Sequence, residues 1–127
     1  MNLKKLLAGI NIDADWIGLR EVKETATYRV VRDNNPASNH RDHSHGIMIE
    51  VLKNGQFGYC ATNQFGLESI QKAAEQALIQ AEGAASYSLC KFSEEARPQS
   101  TGKYSSNYKK KSNSVSAGEL NELLIKA

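Results

Sequence analysis

Cysteine, proline and tryptophan are scarce in this 127-residue sequence, which holds two, two and one of them. Cys60 and Cys90 lie far apart and form no Cys-x-x-Cys pair. That spacing suits neither a disulfide framework nor a zinc ribbon, so both are read as reduced thiols. No apolar run approaches the roughly 20 residues that span a bilayer, so no membrane is expected. Excess charge is missing too: a net +2 is too small to imply nucleic acid or an anionic membrane. Met1 to Ile10 carries two lysines and a short apolar stretch, but Asn11 and Asp13 interrupt it before any Ala-x-Ala-like cleavage site. It is read as the stub of an amphipathic helix in a cytoplasmic protein. There is no Gly-x-Ser-x-Gly, no Gly-Lys-Ser/Thr and no His-Glu-x-x-His. Their absence removes the familiar elbow nucleophile, phosphate cradle and zincin site.

What is present begins with Lys53-Asn54-Gly55-Gln56. Asn-Gly between apolar runs predicts a two-residue hairpin, because both central residues of a type I′ turn need positive φ. Counting outward pairs Leu52 with Phe57, Val51 with Gly58, Glu50 with Tyr59, Ile49 with Cys60 and Met48 with Ala61. Alternation then puts Ile47, Ile49, Val51, Gly58 and Cys60 on a core face. Met48, Glu50, Leu52, Phe57 and Tyr59 fall on a mixed face toward solvent or a partner. Upstream, residues 15–23 and 26–32 read as strands. The polar run 33–45 cannot be a core strand and is read as a loop.

Ile70, Ala73, Ala74, Ala77, Leu78, Ala81, Ala84 and Ala85 recur at helical steps, with Glu68 placed to pair with Lys72. A face made mostly of alanine is thin, and the gap at Gly58 is where such a helix can approach a sheet. Residues 87–114 are rich in Ser, Lys and Asn and read as an irregular arm or linker. Lys109, Lys110 and Lys111 there read as solubilising rather than as a nucleic-acid contact. Ser116 and Glu119 predict a capping box, with Val115 and Leu120 at the positions of a hydrophobic staple. The stripe of Leu120, Leu123, Leu124 and Ile125 is short, which predicts a cut chain or a partner that completes it. The expectation is an α+β fold: a β-meander against one long Ala-rich helix, with a short N-terminal and an incomplete C-terminal helix. Its parts are a domain at 1–86, the arm at 87–114 and the helix start at 115–127.

Three histidines, His40, His43 and His45, fall close together around Asp42. Imidazole and carboxylate bind zinc or nickel, yet the spacing fits no known ligand pattern. A solvated polar segment is the ordinary reading, with a metal-binding protein as the alternative. Cys60 on a core face is an inert thiol. Glu50 beside Tyr59 and Phe57 is the better candidate for binding a substrate or another chain, the alternatives being a free-standing interaction module that uses this face and a plain solvated sheet face.

Three stretches together carry a resemblance. They are Ala14-Asp-Trp-Ile-Gly-Leu-Arg20-Glu, then Gly46 to Asn63 with Gly55, Gly58, Ala61, Thr62 and Asn63 in order, then Leu67 to Ala77. In sequence and spacing they resemble the N-terminal domain of the TldD/PmbA family. The resemblance implies part of a cytoplasmic, two-domain, zinc-dependent metalloprotease of peptide maturation, a family also described as modulators of DNA gyrase. It implies homodimers or TldD/TldE-type heterodimers. The family's zinc ligands, a His-Glu-x-x-x-His motif and a later cysteine, belong to its C-terminal domain. Neither is found here, so the resemblance assigns this chain no catalytic or metal residue and predicts that it is inactive alone. Glu50 stands where the family usually has arginine.

Overall fold

The computed structural model describes residues 1–111 and 114–127. Helix α1 (Leu3–Ala8) precedes strands β1 (Trp16–Arg32), β2 (Asn35–Lys53) and β3 (Gln56–Thr62). Helix α2 (Leu67–Ala85), a 3₁₀ turn (Glu94–Ala96) and helix α3 (Ala117–Lys126) follow. The strands form one sheet in the order β1-β2-β3. This is the α+β architecture the sequence predicts. The chain divides into two compact units, residues 1–23 with 44–99, and residues 24–43 with 100–127.

The first unit holds the core. Asn54 and Gly55 both take positive φ, 53° and 80°, and the β2–β3 register is the one counted from that turn, from Ile47↔Thr62 to Lys53↔Gln56. Ile47, Ile49 and Val51 are buried against Ile70, Ala73, Ala74 and Ala77 of α2. Leu3 and Leu6 of α1, with Ile10 and Ile12, pack at the margin of this cluster. Gln71 reinforces the margin, accepting from the Asn11 N–H and donating to its carbonyl at 2.9 Å each.

The thin helix face meets the sheet at Gly58. A Cβ at that position would collide with the Ala77 carbonyl oxygen and stand 2.8 Å from its carbon and 2.9 Å from the Ala81 nitrogen. Ala77 and Ala81 are fully buried. The stripe stops one turn earlier than the alanine pattern suggests, since Ala84 is exposed. Lys72 reaches Glu68 at 2.8 Å, the expected i,i+4 pair. Gly83 of α2, by contrast, has open space where a Cβ would point. Gly83→Ala is expected to stabilise the protein by about 0.5–1 kcal/mol by restricting the unfolded chain, measured by urea unfolding.

The polar run 33–45 is a correction. It is not a loop: Asp33 and Asn34 alone turn the chain, with φ of 50° and 59°, and residue 35 already starts β2. The two strand segments upstream are likewise one strand, β1. The composition excludes only a core strand, and residues 35–45 are exposed throughout. A strand solvated on both faces needs no apolar alternation, so the usual signal never arises. Asp-Asn supplies the left-handed turn that glycine supplies elsewhere.

In the second unit, Arg29 donates to the Asn39 side chain at 3.0 Å, and Tyr28 stacks on His40 with ring centres 6.3 Å apart. Helix α3 starts in the predicted capping box. The Ser116 N–H donates to the Glu119 carboxylate at 2.8 Å, and the Glu119 N–H donates to the Ser116 hydroxyl at 3.2 Å. These contacts hold the Glu119 carboxyl below its ordinary 4.5. A carboxylate with a depressed pKa contributes stability above its unfolded value and loses it as pH falls through its folded value. Far-UV circular dichroism should therefore show α3 fraying below about pH 4, and Glu119→Gln should lessen that part of the acid response. No residue of α3 is buried, and Leu123 and Leu124 are exposed.

Candidate functional site

The predicted binding residues Glu50, Phe57 and Tyr59 do share one face, opposite the core. Glu50 and Tyr59 are cross-strand partners, and Phe57 lies two residues before Tyr59 on β3. Trp16 meets Phe57 edge-on with centroids 6.3 Å apart, and Phe57 inclines toward Tyr59 at the same distance. Arg20 approaches the Met48 sulfur at 3.6 Å. The result is a row of aromatic rings with one carboxylate set among them.

Residues 90–97 lie over this face, which the composition of that segment does not announce. The Phe92 N–H donates to the Gly55 carbonyl at 2.9 Å, the Gln56 amide donates to the Cys90 carbonyl, and Lys91 passes over Gly55 so closely that a Cβ there would stand 2.8 Å from it. The Phe92 ring packs on Phe57 at 5.4 Å. Arg97 completes the contact: its Nε donates to the Glu50 carboxylate at 2.9 Å, and its guanidinium lies 5.1 Å from the Phe57 ring centre. Glu50 foremost, and Tyr59 after it, raise the Arg97 pKa above its ordinary value and keep it charged.

Sequence reasoning finds Glu50, Phe57 and Tyr59 and misses Phe92 and Arg97. The available signal was Glu50 itself. A carboxylate between Ile49 and Val51 in an apolar strand calls for a cation, and nothing local in β2 or β3 supplies one. Its side chain is 14% exposed, enough shielding to make that partner matter.

The three histidines do not gather. His40 pairs with Asp42 at 2.6 Å, His43 with the Thr25 hydroxyl at 3.0 Å and His45 with Glu21 at 2.9 Å, where its ring also lies 4.4 Å from Phe65. Strand alternation sends His40 and His43 to opposite sides of β2. Among the described residues no group of three or more His, Cys, Asp or Glu side chains is placed to hold a metal ion. Cys60 is half-buried and Cys90 exposed. A concavity of about 630 Å³ in the second unit is lined by Arg29, His40, Arg41 and Ser116 among others. No described helix is long and apolar enough to cross a membrane.

A family model described as PmbA/TldA metallopeptidase domain 1 matches residues 18–81, half of the chain. Comparison with curated proteins and with solved structures gives no match. The matched segment starts in β1, takes in the whole Asn-Gly hairpin and ends in α2, the elements that build the core and the aromatic face. The chain thus belongs to the PmbA/TldD metallopeptidase family and contains its domain 1.

Proposed function

We propose that this chain serves as a non-catalytic domain 1 in a PmbA/TldD-type metallopeptidase of peptide processing. It shapes the substrate cavity and the contacts between subunits, in a homodimer or a TldD/TldE-type heterodimer of the cytoplasm. The observation that supports this most is the family match over β1 to α2 in a sequence without His-Glu-x-x-x-His. The face bearing Glu50, Phe57 and Tyr59 is the part of the domain suited to meet substrate or a second chain. Zinc then belongs to a separate metal-bearing domain.

The test is direct. The purified chain, supplied with zinc and a peptide mixture, is expected to leave every peptide intact by mass spectrometry. It is also expected to co-purify with a family chain that carries the His-Glu-x-x-x-His domain. Zinc-dependent cleavage by this chain alone would overturn the proposal.

A further inference from the structure

The Glu50 face holds the chemical elements that recognise a guanidinium, and the chain fills them itself. An arginine head group is flat. It can stack on an aromatic ring while its edge donates to a carboxylate, which a lysine ammonium cannot do in the same pose. Here the edge donor reaches Glu50 at 2.9 Å, and the guanidinium carbon lies over the Phe57 ring, 5.1 Å from its centre. Tyr59, the cross-strand partner of Glu50, flanks that carboxylate on the same face. The receiving side is the more shielded one: the Glu50 side chain is 14% exposed, against 47% for Arg97. The covering segment is itself exposed. Its 3₁₀ turn buries no residue, and Phe92 is itself half exposed.

We propose that Glu50, Phe57 and Tyr59 form a binding site for an arginine side chain of a peptide, with the segment from Phe92 to Arg97 as its built-in occupant. The proposal rests on reading the chain as a substrate-shaping domain. Phe92, seated on Phe57, indicates that an aromatic residue ahead of the arginine suits the same face. Because the occupant is tethered, it competes at an effective concentration of about millimolar, and a free peptide binds weakly until Arg97 is removed.

The experiment uses the full chain and a fluorescent peptide copying residues 91–99, with a second peptide bearing citrulline in place of the arginine. Citrulline keeps the shape and removes the charge. By fluorescence anisotropy, Arg97→Ala is expected to bind the arginine peptide roughly tenfold more tightly than the unsubstituted chain, the scale of one charge-assisted hydrogen bond. It should prefer arginine over citrulline by a similar factor, and adding Glu50→Gln should erase that preference. The unsubstituted chain should show the same preference at higher peptide concentration, which tests the site with no substitution at all. Equal binding of the two peptides, or none, would overturn the site and leave the domain reading standing. Cleavage of the peptide, read separately by mass spectrometry, would instead overturn the domain reading.

Discussion

Gly58→Ala is expected to lower stability by about 3 kcal/mol, out of proportion to the single methyl it adds. Overpacked cores usually recover part of their strain by turning a side chain into another rotamer. At Gly58 the obstacle is backbone: the carbonyl of Ala77 and the amide nitrogen of Ala81. Helix α2 can accommodate a Cβ only by lifting from the sheet, which would open the layer of Ile49, Val51, Ala73, Ala74 and Ala77 behind it. A loss of that size lowers the melting temperature by roughly 10 °C in a domain of this length. Thermal unfolding followed by circular dichroism checks it. A shift of less than about 2 °C would mean that the helix does not rest on this glycine. Gly83→Ala in the same helix is the matching control, since there a Cβ meets nothing.

Ile49→Ala should cost about 4 kcal/mol, comparable to much of the stability of a small domain. Ile49 is fully buried in the C-terminal part of β2 and packs in the cluster with Ile70 and the α2 alanines. Those alanines cannot move into the space it leaves, because they have no rotamers and the helix is already pinned at Gly58. The cavity therefore stays open, and both the lost transfer energy and the cavity term are felt in full. Ile49→Val, which removes one methyl, should cost about 1 kcal/mol. Leu123→Ala on α3, where the side chain is 62% exposed, should stay within about 0.5 kcal/mol in the isolated chain. Urea midpoints for the three variants test the order. An Ile49→Ala loss no larger than that of Ile49→Val would contradict the packing described.

Much of this was legible because the deciding physics is local. Asn54-Gly55 demands left-handed backbone at two successive residues, and that turn sets the β2–β3 register by counting. The alanine stripe of α2, its Glu68–Lys72 pair and the Ser116–Glu119 capping box depend on spacings of three and four, which no distant contact needs to supply. The outer half of the β1–β2 hairpin was hidden for a complementary reason. Its residues bury nothing, so hydrophobic periodicity has nothing to record. Hydrogen bonding to the neighbouring strand carries it instead.

The sequence by itself therefore determined the Asn-Gly hairpin and its register, the two faces of the sheet, the helix that covers one of them and the family to which these belong. Tertiary structure decided what covers the other. Arg97 meets Glu50 across 47 positions of chain, and Phe92 meets Phe57 across a turn and a whole helix. A pairing that distant leaves no periodic trace in sequence, because one arginine and one phenylalanine in a polar segment satisfy it. Only the return of the chain over Gly55 brings the guanidinium, the ring and the carboxylate together.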